Sequence, residues 1–154
     1  MSQAKLQRNV DDISVVDRDS KLRMNFMPRS FGKAFYYMDS FYGFVASKTN
    51  PQYSGGVWDY AYTSAGRPFI LYGDIGGECL VSTLHDDVEF ALTNEIAGVL
   101  TTALTIIVVL EKKGSAISED LRERLVELYY NLVKDGHEMA EKQGLGTEYY
   151  RLVD

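Results

Sequence analysis

Few residues in this chain of 154 could carry covalent or metal chemistry: one cysteine, Cys79, and two histidines, His85 and His137. A structural zinc site wants about four Cys or His ligands. The histidines stand far apart, no Cys or His lies at ligand spacing beside either, and no H-E-x-x-H helix is present. Both read as surface residues, and no metal is expected. Cys79 sits in an apolar stretch, where a small buried hydrophobe is a better account than a nucleophile, since a reactive thiolate needs an accessible, electropositive setting. No G-x-S-x-G elbow marks a serine nucleophile. Gly73-Asp74-Ile75-Gly76-Gly77 has the glycines of a phosphate-cradling loop, but it lacks the G-K-[ST] ending and does not precede a helix. A hairpin turn explains it better. The carboxylates are many, yet no pair stands apart from ordinary solvated charge. The expectation is a non-enzymatic protein with no catalytic residue and no cofactor.

Binding chemistry is the remaining possibility. The formal net charge is −6 and the Lys and Arg are scattered, whereas a duplex-binding surface needs clustered cations. Direct nucleic-acid binding is therefore not expected. Charge is uneven, however. Between Arg67 and Lys112 there is no Lys or Arg, while Asp74, Glu78, Asp86, Asp87, Glu89, Glu95 and Glu111 all fall there. If the Gly-rich turn and the loop near residue 86 share a side, Asp74, Glu78, Asp86, Asp87 and Glu89 form one patch that could steer toward a basic DNA-handling protein. Solvated loops are the alternative. Duplex DNA carries a charge every ~1.7 Å of its axis, so the net charge here is too sparse for full DNA mimicry. The aromatic residues of 35–62 lie among few cations, which favours core packing over a base-stacking platform and leaves some of them for a protein interface.

These residues must be held by a fold of ordinary globular composition, 45% hydrophobic and 25% charged. A single cysteine suits a reducing cytoplasm, and the first ten residues lack the apolar core of a signal peptide. The uncharged stretch 96–110 is shorter than the roughly 20 residues that span a bilayer, and reads as a buried core helix. Residues 1–20 read as a polar tail, with Ile13, Val15 and Val16 leaving room for one short strand, and 21–154 as the folded domain. Residues 24–32 read as an apolar loop with a proline turn. Phe35, Met38, Phe41, Tyr42 and Val45 recur at helical spacing, and Asn50-Pro51 closes that helix. Trp58, Tyr60 and Tyr62 alternate onto one face of a strand. Residues 64–66 turn it back into a strand over 68–72, and a third follows over 79–84, making an antiparallel meander. Thr93 caps a helix running to Lys112. Ser118 caps another, striped by Leu121, Leu125, Leu128 and Leu132, which Gly136 ends or kinks. The fold class is α+β: a small antiparallel β-meander packed with about four helices in a single domain.

Two stretches together resemble the ArdB/KlcA family of antirestriction proteins, carried by plasmids and other mobile elements. Residues 23–32, with Asn25, Phe26, Pro28, Phe31 and Gly32, are similar to the family's N-F-x-P-x-x-F-G segment. Residues 53–66, with Tyr53, Gly55, Gly56, Trp58, Tyr60, Ser64 and Gly66, are similar to its Y-x-G-G-x-W-x-F-Y-x-x-S-N-G-G core. A weaker third match, residues 92–99, is like L-S-x-E-A-A-G-I. Ala65 and Arg67 depart from the usual Asn and Gly, and the chain after Gly114 matches only loosely. Most matching residues also have a structural account: glycines for tight turns, Trp58 as an anchor.

The resemblance implies a cytoplasmic protein that inhibits host type I restriction of unmodified DNA, its partner the restriction enzyme or a factor in its pathway. Rival readings are an inhibitor of another DNA-targeting defence on the same fold, such as a CRISPR effector or a recombination nuclease, a small-molecule-binding domain, or an oligomerising partner protein.

Overall fold

The computed structural model describes residues 7–10, 13–74, 76–82 and 89–153. In chain order the elements are β1 (Gln7–Val10), β2 (Ile13–Val16), α1 (Leu22–Phe31), α2 (Phe35–Thr49), β3 (Asp59–Thr63), β4 (Pro68–Leu71), β5 (Glu78–Ser82), β6 (Glu89–Thr93), α3 (Asn94–Lys113), α4 (Glu119–Lys142) and α5 (Gly146–Val153). The strands form two antiparallel sheets, β1-β2-β3-β4 and the ribbon β5-β6. This is the expected α+β class, with differences in detail that have physical causes.

The first difference is at the N-terminus. Far from ending a tail, Ile13, Val15 and Val16 are at most 4% exposed, and β2 pairs with the central strand β3. Burying each such side chain contributes roughly 1.5–3 kcal/mol, enough to recruit a short polar segment into the sheet. The register sets Val15, Ala61 and Phe69 in one row across three strands, with Ile13 opposite Thr63. All of these are buried.

The second difference is residues 24–31, which lie in helix α1 rather than in a loop, with Pro28 inside the helix. Ser20 Oγ accepts from Leu22 N at 3.0 Å where the helix begins, and Phe26, Met27 and Phe31 supply a buried face. Pro28 removes one helical hydrogen bond, but it lies on the exposed side, so tertiary burial of the aromatic face prevails. Phe26 stacks on Tyr60 with centroids 4.5 Å apart and planes 3° from parallel, and meets Tyr62 edge-on at 5.5 Å. α1 therefore covers the tyrosine face of β3.

The third difference concerns β5, which does not extend the sheet beyond β4. The outer edge of β4 is already filled. Ile70 N donates to Thr102 Oγ1 of α3 at 2.9 Å, and Tyr42 of α2 donates its hydroxyl to Ile70 O at 2.9 Å. With both backbone polar groups of that edge residue satisfied by helices, no strand is needed there. β5 turns away and pairs with β6 instead.

α3 is the hub, in contact with α2, α4, β4, β5 and β6. By length and composition it could cross a membrane, but 72% of its most apolar window is buried inside the protein. Its N-terminus fixes the Gly-rich turn: Asn94 Nδ2 donates to Asp74 O at 2.7 Å, and Gly76 N donates to Glu95 Oε1 at 2.8 Å. Residues 73–74 and 76–77 thus link the two sheets, held by a carboxylate. α4 begins where expected, with Ser118 Oγ accepting from Leu121 N at 3.2 Å. It runs on through Gly136, which faces the ring of Tyr149 from α5.

The β3–β4 hairpin is fastened to α4 through a charged group. Asp135, 5% exposed, accepts from Thr63 Oγ1 at 2.7 Å and from Arg67 Nη1 at 3.4 Å. Removing it strands a buried hydroxyl and a half-buried guanidinium. Asp135→Ala is expected to lower unfolding free energy by about 2–3 kcal/mol, read from the midpoint of urea denaturation. A change within about 0.5 kcal/mol, the range of an ordinary surface site, would remove this contact from the account of the fold.

Candidate interaction surface

The residues of the two matching segments divide between core and surface. Phe26 and Phe31 are buried, Gly32, Tyr53, Trp58 and Tyr60 are half-buried, and Asn25, Pro28, Gly55, Gly56, Ser64 and Gly66 are exposed. The two segments meet in space. Arg23, at the start of α1, donates from Nη2 to Trp58 O at 2.6 Å and lays its guanidinium 4.7 Å from the Tyr60 ring centroid. Arg18 grips Asp59 with two bonds of 2.7 and 3.0 Å. Trp58 Nε1 donates to Tyr53 Oη at 3.0 Å, and the indole meets Tyr42 edge-on at 4.8 Å. Aromatic and charged contacts therefore fasten both ends of the loop over residues 53–58.

Between those ends the loop is free. Gly55 and Gly56 have φ of 91° and 115°, values that side-chain-bearing residues rarely adopt, and a Cβ on either would meet nothing within 4 Å. Val57 beside them is 63% exposed, as is much of Phe44 on the neighbouring helix. The glycine pair shapes a surface loop rather than a packed junction. For this part of the segment, the structural account from sequence covers the backbone shape alone.

Of the acidic candidates the described residues include three, Asp74, Glu78 and Glu89. All three are exposed, but Glu78 pairs with Thr93 at one end of the β5–β6 ribbon and Glu89 with Ser82 at the other. Four residues of strand separate the two ends, roughly 13 Å. Asp74 sits in the turn that precedes Glu78, on the Asn94 side. Asp86 and Asp87, like His85, lie outside the described residues, in the connection that leaves Ser82 and returns at Glu89. The register of the ribbon therefore sets Glu89 apart from Glu78. Glu95 is no part of this surface, being 5% exposed and bonded to Gly76.

The residues with the best-known chemistry are placed for packing. Cys79 is 8% exposed, its Sγ lies 3.7 Å from Tyr72 Oη, and burial pushes its thiol upward, away from the thiolate. His137 lies within α4 with Nδ1 3.8 Å from Glu141 and its ring against Tyr150. Burial pushes the Tyr42 hydroxyl well above the ordinary tyrosine range, so it stays a donor to Ile70 O. Among the described residues no group of three His, Cys, Asp or Glu is arranged to hold a metal ion.

Two clefts flank the β3–β4 turn where it meets α4. One, about 390 Å³, opens beside Ser64, Asp135, Glu138 and Glu141. The other, about 380 Å³, lies between α1, the turn and α4, lined by Arg29, Ser30, Tyr62, Gly66, Arg124 and Asn131 among others. Sequence reasoning passed over Asp135, Arg29 and Arg124. Asp135 had a signal: the stripe Leu121, Leu125, Leu128, Leu132 continues in steps of three and four to Asp135 and Met139, placing one acid on an otherwise apolar face. Arg29 and Arg124 had none, because they lie on different helices far apart in sequence and share a cleft only in the fold.

No family model matches the sequence, and no curated protein matches it. Solved structures do match. One is the structure of the KlcA and ArdB proteins, described as showing a novel fold and antirestriction activity against Type I DNA restriction systems in vivo but not in vitro. It aligns with a TM-score of 0.66 at 17% identity, covering 96% of this chain and 100% of that one. At that identity the likeness is one of fold, it runs the length of both chains, and it agrees with the segments at 23–32 and 53–66: this chain has the KlcA/ArdB fold.

Proposed function

We propose that the chain is an antirestriction protein of a mobile element, acting in the cytoplasm to protect unmodified DNA from host type I restriction by a non-enzymatic route. The observation that carries this reading is the whole-length likeness to a fold described with antirestriction activity, joined to two sequence segments that fall in the same protein. The non-enzymatic part is supported by the placement of Cys79 and His137 in packed, structural surroundings. The neighbour's activity is described in vivo but not in vitro. For this chain we read the same pattern as action on a factor present in the cell, with the restriction enzyme or its pathway as the partner.

The test follows from that reading and must be made in cells. Unmodified phage is plated on hosts with and without a type I system, with the gene expressed or silent, and parallel hosts carry a CRISPR system. Plating on the restricting host should rise by at least about tenfold, a change equal to roughly 1.4 kcal/mol in an equilibrium, with no rise on the CRISPR host. No rise on the restricting host sinks the reading, and a rise confined to the CRISPR host moves the target to that defence.

Because Glu78 and Glu89 lie at opposite ends of one ribbon, the two parts of the acidic stretch can be varied separately. In the same assay, Asp86→Lys with Asp87→Lys and Glu89→Lys is expected to reduce protection, since charge reversal turns attraction for a basic partner into repulsion. Asp74→Lys with Glu78→Lys is expected to leave it intact. Full protection by the folded triple variant would take Asp86, Asp87 and Glu89 out of the contact surface.

A further inference from the structure

The arginines of this fold divide sharply by what they touch. Arg18 binds Asp59, Arg23 binds Trp58 O and lies over Tyr60, Arg67 binds Asp135, Arg122 binds Gly114 O, and Arg151 lies over the Phe90 ring. Arg29 and Arg124 have no hydrogen-bond, ion-pair or ring partner among the described residues. Those two, from different helices, line the same cleft of about 380 Å³.

The rest of the lining points the same way. Ser30, Tyr62 and Asn131 bring two hydroxyls and an amide to the cleft, none of them spent on a hydrogen bond within the described protein. Leu121, Leu125 and Leu128 supply apolar lining from α4. Arg124 is set over the end of α1, its Nη1 3.9 Å from where a Cβ on Gly32 would stand. Glu127 is the acidic member of the lining and offsets one of the two positive charges. In a protein of net charge −6, the long-range field disfavours a polyanion such as DNA. A single compact anion is a different case, because guanidinium groups match the planar two-oxygen edge of carboxylate and phosphate at short range.

We infer that the cleft between α1, the β3–β4 turn and α4 is a binding site for a small anionic group, carboxylate or phosphate, held by Arg29 and Arg124 with Ser30 and Asn131 as neutral donors. The site does not depend on the antirestriction reading. It sits where the ends of the two matching segments, Arg29 and Ser30 from one and Gly66 from the other, converge on α4.

Nitrogen-edited NMR of the full chain tests it directly. Inorganic phosphate, succinate and sodium chloride are titrated separately at matched ionic strength. The expected result is a saturable shift at Ser30, Gly66, Asn131 and the side-chain Nε–H of Arg29 and Arg124 with phosphate or succinate, absent with chloride. The tighter of the two probes identifies the group. Arg29→Ala, on the exposed face of a helix, should weaken binding roughly tenfold or more, and Arg29→Lys should restore only part of it, since it returns charge without the planar pair of donors. Arg124→Ala should do the same in a chain whose spectrum elsewhere is unchanged. Linear, chloride-like shifts overturn the inference, as does undiminished saturable binding in Arg29→Ala.

Discussion

One residue on the edge of the sheet, Ile70, decides how the rest of the chain is arranged. The outer amide and carbonyl of Ile70 are taken by the Thr102 and Tyr42 hydroxyls, from α3 and α2. Such closeness is possible because residue 98 is glycine: a Cβ there would stand 2.8 Å from Ile70 O and 3.3 Å from Leu71 Cα. With the edge closed by helices, β5 has nowhere to pair in the main sheet and forms the ribbon with β6. The same helix, docked at that depth, presents Asn94 and Glu95 to the Gly-rich turn and fixes where the ribbon starts. Edge closure, ribbon and turn are consequences of one contact.

The second constraint runs through the aromatic junction of α1 and β3. Phe26 on Tyr60, with Arg23 bridging to Trp58 O, ties segments more than thirty residues apart in sequence into one unit. Their exposed members, the Gly55–Gly56 loop on one side and Ser64 and Gly66 in the turn, are held by that unit and free of it at the same time. A scaffold that fixes the ends of a loop and leaves its tip in solvent is suited to recognition. Asp135 performs the corresponding task for the β3–β4 turn, anchoring it to α4 between the two clefts.

What was legible in the sequence was whatever periodicity or capping encodes. α2, α3 and the start of α4 follow from apolar spacing and the Ser118 cap, and the β3–β4 hairpin from alternation around a glycine turn; Thr93 stands at the N-cap position of α3, but its hydroxyl makes no capping hydrogen bond. Other features depended on partners remote in the chain. Pro28 signals a turn by local rules, yet Phe26 and Phe31 find a buried face and the segment is helical. Ile13, Val15 and Val16 leave room for a short strand, and pairing with β3 makes it part of the core. A third strand next to β4 was reasonable until Thr102 and Tyr42 were seen to occupy its place. Sequence distance hides which end of a ribbon Glu78 and Glu89 each occupy, and it hides that Arg29 and Arg124 line one cleft.

The residues at 92–99, the weakest of the three matching segments in sequence, turn out to hold the hub: Asn94 and Glu95 at the turn, Gly98 at the edge. The substitution Gly98→Ala tests this account with a sign as well as a size. In a helix interior free of tertiary contacts the change stabilises by about 1 kcal/mol, through propensity alone. Against Ile70 O the added methyl must push the helix off the strand, and equilibrium urea denaturation should show a loss of about 1–3 kcal/mol. A gain in stability from Gly98→Ala would contradict the claim that α3 closes the β4 edge at this depth.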